Sequence, residues 1–138
     1  METLRIRLIR EPEPPSGDDT PVRFGLQDRV GGMHDGMPRS DGLVQFDFDV
    51  SVRGVPEDGP PDFAGPFVSG TRGERFVYLS WQRRDGAGFV NRIKVRLTDL
   101  DWPLIAAAQG GGKRLEANLR GASAGGGKRP VEWRLAEA

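Results

Sequence analysis

The chain has 138 residues, and its 20 lysine and arginine residues are balanced by 20 aspartate and glutamate residues, so the formal net charge at pH 7 is zero. This balance removes the long-range attraction that gathers nucleic acid or anionic lipid around a basic protein. The sequence has no cysteine, which excludes disulfide bonds and thiolate zinc sites and favours a reducing compartment. We expect one β-rich domain spanning residues 1–138, located in the cytoplasm and without a cofactor.

Alternating apolar and polar residues, the pattern of strands with one buried face, recur along the chain. The first such stretch, residues 1–10, lacks the unbroken apolar run of a secretory signal, and no later stretch is long and apolar enough to span a membrane. The residues predicted to face inward are Leu4, Ile6, Leu8, Val22, Phe24, Leu26, Val44, Phe46, Phe48, Val50, Val52, Phe89, Asn91, Ile93, Val95, Leu97, Leu115, Ala117, Leu119, Val131, Trp133 and Leu135.

Residues 76–81 are the most hydrophobic strand candidate. Phe76 and Tyr78 share one parity along this segment. The opposite parity carries Val77, Leu79 and Trp81. Apolar groups on both parities predict a strand that is buried on both faces in the middle of the fold.

Two local signals connect the later strands. Asp85-Gly86 is a hairpin turn signal between the strand at 76–81 and the strand that follows. Residues 101–109 predict one short helix, because Asp101 can cap it, Pro103 suits its first turn and Gly110 can end it. About seven strands and one helix indicate an all-β fold with antiparallel strands, either a two-layer sandwich or a partly open barrel.

Catalytic patterns are few. The sequence Gly-Gly-Gly-Lys-Arg occurs at residues 110–114 and 125–129, but neither copy has the earlier glycine or the following Ser or Thr of a phosphate-binding P-loop. His34 is the only histidine, so a metal site with several histidines cannot form within one chain. Asp35 and Asp41 lie near His34 in sequence, yet no nucleophile elbow occurs, and a solvated loop histidine is predicted. We therefore assign no catalytic residue and no metal ligand.

The first candidate surface is the loop at residues 65–75. Its hydroxyl, guanidinium and glycine N–H groups suit an anion or another polar ligand. The alternative is a purely structural turn, with glycines at positive φ and the last arginine paired with a carboxylate. The candidate ligand-binding residues are Ser69, Thr71, Arg72 and Arg75.

The second candidate surface is the polar side of the strand after the Asp85-Gly86 turn, formed by Arg92, Lys94 and Arg96. The simplest partner for these cations is the acidic stripe of Asp47 and Asp49 on a neighbouring strand. If the two strands are not neighbours, the three cations become a candidate contact for phosphate groups or for an acidic protein.

Three functions fit these surfaces. The first is a non-enzymatic binding or interaction module that contacts a protein or a small anionic ligand through residues 65–75. The second is a small enzyme for an anionic or sugar-like substrate, positioned by Arg72 and Arg75 with a carboxylate as base. The third is nucleic-acid binding through arginines near Trp81 and Phe89 as stacking platforms, which the zero net charge disfavours.

A block of residues within 65–81 resembles the shared block of a family of small bacterial proteins of unknown function. It consists of Gly65-Pro66-Phe67, then Gly70, then Gly73 followed by Arg75-Phe76, Tyr78-Leu79 and Trp81. The basic strand Arg92-Ile93-Lys94-Val95 and Trp133 are similar to later parts of the pattern, so the resemblance spans from about Gly65 to the C-terminus. Val90-Asn91 departs from it, where the family carries an aromatic residue and an arginine. The resemblance implies a shared fold and no activity.

Overall fold

The computed structural model describes residues 2–14, 21–86, 88–122 and 131–138. The strands in this part of the chain are β1 (Glu2–Arg10), β2 (Val22–Gln27), β3 (Met33–His34), β4 (Met37–Pro38), β5 (Val44–Arg53), β6 (Asp62–Ala64), β7 (Ser69–Thr71), β8 (Glu74–Arg83), β9 (Phe89–Arg96), β10 (Lys113–Asn118) and β11 (Trp133–Glu137). One helix, α1 (Trp102–Gly110), and one 3-10 turn, Pro56–Asp58, complete the elements. The seven predicted strands are present, and the additional strands β3, β4, β6 and β7 have two or three residues each.

The strands form two sheets. Sheet 1 has the order β11-β10-β1-β5-β4, with β6 also paired to β5. Sheet 2 has the order β3-β2-β8-β7, and β9 also pairs with β8. The predicted all-β sandwich is confirmed, the sheets do not close into a barrel, and β8 is the central strand of sheet 2.

Sheet 1 is built around β1, which pairs antiparallel with β5 and parallel with β10. The two C-terminal strands are neighbours, because β10 pairs antiparallel with β11. The first Gly-Gly-Gly-Lys-Arg copy forms the end of α1, a turn and the start of β10. The second copy lies outside the described residues.

The core lies between the sheets and is centred on Trp81, whose side chain is fully buried. Its indole stacks on Phe24 at 4.5 Å between ring centroids, and Phe24 contacts Phe46 of sheet 1 at 5.2 Å. The indole Nε1 donates a hydrogen bond to the Pro12 carbonyl at 2.8 Å, so its polar atom has a partner. Burial of a side chain of this size contributes on the order of 3 kcal/mol. This aromatic contact therefore joins the two sheets.

The prediction that β8 is buried on both faces is wrong. Val77, Leu79 and Trp81 are fully buried toward sheet 1, whereas Phe76 and Tyr78 on the other side are only half-buried. The helix α1 does not cover that side, because it packs against β10 and β1 of sheet 1. The outer face of β8 is therefore in contact with solvent.

The helix begins and ends where the sequence predicts. The Asp101 side chain accepts a hydrogen bond from the Leu104 N–H at 3.0 Å and caps the first turn. Ile105 and Ala108 are buried and join the core. At the edge of sheet 1 formed by β11 the prediction is less accurate: Leu135, expected to face inward, is 44% exposed because β11 is an edge strand.

Candidate binding surface

The outer face of sheet 2 brings cations and aromatic rings together. The Lys94 ammonium lies 4.2 Å from the ring centroid of Phe76, and the Arg92 guanidinium lies 5.4 Å from that of Tyr78. The two rings contact each other edge to face, with centroids 4.9 Å apart. Arg96 stands directly opposite Phe76 in the strand register. We refer to Phe76, Tyr78, Arg92, Lys94 and Arg96 as the aromatic-basic face.

Strand register explains why these side chains meet. Tyr78 pairs with Lys94 and Phe76 pairs with Arg96, so residues of the same parity on β8 and β9 share one side of the sheet. Sequence reasoning placed the cations on this side but assigned the two rings to the core. A signal was present, because Glu74, Ser80 and Gln82 have the same parity as the rings and indicate a polar face.

The acidic stripe expected opposite the cations lies on the other sheet, so that prediction is wrong. Asp47 pairs with Arg7 and Asp49 with Arg5 across β1 and β5. Arg7 Nε donates to Asp47 Oδ1 at 2.9 Å. Although burial alone would raise the pKa of Asp47, hydrogen bonds from Arg7 and Gln45 lower it.

Glu74 approaches the aromatic-basic face, with its Oε1 3.4 Å from Lys94 Nζ. The Glu74 side chain is 67% exposed, so this ion pair is a weak surface contact. A ligand that displaces the exposed Glu74 carboxylate can therefore reach the ammonium group of Lys94.

The predicted ligand loop at residues 65–75 is a tight hairpin of β7 and β8. Gly70 has φ of +91°, and a Cβ at this position would lie 2.1 Å from the Glu74 carbonyl oxygen, so the turn requires glycine. Ser69 and Thr71 lie opposite Phe76 and Glu74 and share their side of the sheet. Arg72 is exposed in the two-residue turn between the strands.

Arg75 points to the opposite side of β8 and binds Asp62 of β6. Arg75 Nε donates to Asp62 Oδ1 at 2.9 Å, Nη2 approaches Oδ2 at 3.3 Å, and Nη1 donates to the Gly70 carbonyl. The hydrogen bond from Arg75 lowers the pKa of Asp62 and raises that of Arg75. Arg75 therefore ties sheet 2 to sheet 1, and the carboxylate beside it is ionised at neutral pH. The enzyme hypothesis requires a carboxylate with a raised pKa here, which could act as a general base. Asp62 does not meet this requirement, because its pKa is lowered.

A cleft of about 540 Å³ opens where β3 and β4 cross from one sheet edge to the other. His34, Phe46, Asp47 and Phe67 are among its lining residues. The His34 ring packs edge to face on Phe67, with 4.9 Å between centroids. Sequence reasoning did not find this cleft, because it forms only when the edges of the two sheets meet.

His34 is half-exposed, and its Nε2 is 2.9 Å from Asp28 Oδ2. Asp28 also accepts the backbone N–H groups of Val30 and Gly32, and its pKa is lowered by the His34 hydrogen bond first and by these backbone bonds next. The aspartates expected from sequence proximity bind arginines instead: Asp35 pairs with Arg23 and Asp41 with Arg39. The Asp28 contact therefore orders the turn between β2 and β3.

Neither a metal-binding cluster nor a membrane-spanning helix occurs among the described residues. Within residues 2–14, 21–86, 88–122 and 131–138, no group of three or more His, Asp or Glu side chains is arranged to hold a metal ion. In the same part of the chain, α1 is far too short to cross a membrane and no other helix could do so.

Comparison with known proteins gives one match. No curated protein and no solved structure is similar to this chain. The sequence profile of DUF5990, a family of unknown function, matches residues 3–137. The match includes the segment before Gly65, where the resemblance seen in the sequence was less specific. The chain belongs to the DUF5990 family.

Proposed function

We propose that this protein is a non-enzymatic binding module that holds an anionic partner against the aromatic-basic face. The observation that carries the proposal is the position of Arg92 and Lys94 over the half-buried rings of Tyr78 and Phe76. Cation-π contact places both cations beside the rings on the outer side of sheet 2, within reach of an anionic partner.

The position of the cations on β9 supports the same conclusion. Every second residue from Arg92 to Arg96 is basic, and the acidic stripe of Asp47 and Asp49 belongs to sheet 1. Under this proposal, Ser69 and Thr71 lie at the margin of the contact surface, whereas Arg75 has a structural role. The proposal also includes a cytoplasmic location and a single domain of 138 residues, and the absence of cysteine supports the location.

The alternative function, an enzyme acting at residues 65–75, has less support. It needs Arg75 to be available to a substrate, yet the guanidinium already binds Asp62 and Gly70. It also needs a carboxylate that accepts a proton near neutral pH, whereas the pKa of Asp62 is lowered. A non-enzymatic role therefore fits the described geometry better.

Titration with long-chain inorganic polyphosphate, followed by ¹H–¹⁵N correlation spectra, tests the proposal. We expect shifts at the amides of Arg92, Lys94 and Arg96 and a severalfold weaker affinity for Lys94→Gln. The matched control is Arg5→Gln, which removes the same charge from the exposed face of sheet 1.

A further variant separates the two candidate surfaces. Arg75→Ala should bind polyphosphate like the wild type, because its side chain lies on the other side of β8 from the cations. Binding that is lost in Arg75→Ala but kept in Lys94→Gln would move the site to residues 65–75 and contradict the proposal.

A further inference from the structure

We infer that the anionic partner is single-stranded nucleic acid, with unpaired bases stacked on Phe76 and Tyr78 and phosphates beside Arg92, Lys94 and Arg96. This inference rests on the proposed function and adds the chemical class of the ligand. It combines two features of one surface, a pair of accessible rings and a regular row of cations.

The rings require a partner with flat apolar groups. Phe76 and Tyr78 are half-buried, with centroids 4.9 Å apart, and a ligand made only of phosphates would not use the part of each ring that faces solvent. Every nucleobase has a π-face, and stacking on aromatic side chains is the common device of proteins that bind single strands. The platform differs from the one expected from sequence. Trp81 is fully buried, and the side chain of Phe89 lies outside the described residues.

The three cations form a regularly spaced row that matches a partner with regularly repeated charge. Arg92, Lys94 and Arg96 are two residues apart along an extended strand, a spacing of about 6.6 Å at roughly 3.3 Å per residue. An extended sugar-phosphate backbone repeats its charge at a similar interval, whereas the carboxylates of an acidic protein follow no fixed repeat. An Arg or Lys side chain that turns from the ring toward a phosphate leaves the ring face open to a base.

A double helix does not fit this surface. Its bases are paired and stacked on each other, and proteins read them with elements that enter a groove. The aromatic-basic face lies on the flat side of sheet 2, on the central strand β8 and on β9, which among the described strands pairs with β8 alone. The geometry therefore selects single strands, of DNA or RNA, over duplexes.

The single tyrosine of the chain, Tyr78, provides a direct probe. Wild-type protein is titrated with a twelve-nucleotide oligodeoxythymidine, with oligouridine of equal length and with inorganic polyphosphate, while the ring protons of Tyr78 are followed by NMR. A base stacked on this ring should shift its protons upfield, and polyphosphate should not. Saturating oligonucleotide that leaves the Tyr78 ring protons unmoved would overturn the inference. A larger shift with one of the two oligonucleotides identifies that nucleic acid as the preferred ligand.

Variants and competitors separate this inference from the proposed function. In fluorescence anisotropy at low salt, Tyr78→Leu should bind either oligonucleotide about tenfold more weakly and polyphosphate as well as the wild type does. Tyr78→Trp retains a ring and should retain the oligonucleotide affinity. Equal loss with Leu and Trp, or equal affinity for a duplex of the same length, contradicts the inference. If the protein binds polyphosphate but neither oligonucleotide, the inference is wrong and the proposed function stands. If it binds neither polyphosphate nor oligonucleotide, the proposed function is wrong as well.

Discussion

The exposed faces of the two sheets place their basic residues beside different neighbours. Both carry a row of basic residues on every second position of a strand. On sheet 1 the cation Arg7 faces Asp47 on one neighbouring strand and Glu116 on the other. On sheet 2 the cations of β9 face the rings of β8. The comparison teaches that the neighbouring strand decides whether the cations of a basic strand meet carboxylates or aromatic rings.

The largest expected effect is a loss of stability when the ion pairs on the exposed face of sheet 1 are removed. Glu116 is 5% exposed and accepts Arg134 Nε at 2.9 Å, and its other oxygen is 3.6 Å from Arg7. Glu116→Ala leaves these cations without their buried partner and should lower the free energy of unfolding by about 2 kcal/mol. Urea denaturation measures this value.

The control for this experiment is Glu74→Ala on sheet 2, where the ion pair with Lys94 is exposed. It should change the free energy of unfolding by less than about 0.5 kcal/mol. Equal losses in the two variants would contradict the proposed difference between the faces.

A smaller effect is expected for the single pair Arg7 and Asp47. A double-mutant cycle with Arg7→Gln and Asp47→Asn should give a coupling of about 1 kcal/mol at pH 7. Since the pair lowers the pKa of Asp47 in the folded state, its contribution is present above the unfolded pKa of about 3.9 and is lost as the pH falls further. Cycles measured at pH 7 and pH 3 test this, and a coupling unchanged at pH 3 would show that the pair is not ionic.

The smallest expected effect concerns the salt dependence of binding. Three phosphate contacts give a slope of log affinity against log salt of about −2, at roughly −0.7 for each contact with a single strand. Lys94→Gln should reduce the magnitude of this slope by about 0.7 with little change in stability, and Arg5→Gln should leave it unchanged. Anisotropy titrations at several salt concentrations measure the slope, and equal slopes for both variants would mean that β9 does not contact the phosphates.

Local patterns predicted local structure well. The alternation from Val44 to Val52 gave a strand with the expected side inward, and Asp101 caps a helix as its position indicates. Both signals depend on residues within a few positions of each other, so no knowledge of the rest of the fold is needed.

Strand neighbours could not be predicted in the same way. Parity shows which side of a strand is apolar, but it does not show whether another layer covers the second side. Phe76 and Tyr78 were assigned to the core for that reason. The partner of Asp47 was also missed, because its neighbour Arg7 lies 40 residues away. The cleft beside His34 depends on both sheet edges and left no pattern in any single segment.

The parallel pairing of β1 with β10 has a consequence for synthesis. Ile6 lies beside Leu115, so β1 leaves the ribosome long before its partner does. At roughly 5–20 residues per second, this interval is on the order of ten seconds. During it, even after β5 has paired, one edge of β1 exposes backbone N–H and C=O groups that another nascent chain could use. Arg5, which is exposed in the finished sheet, places a charged side chain next to that edge, and such charges disfavour pairing with another chain.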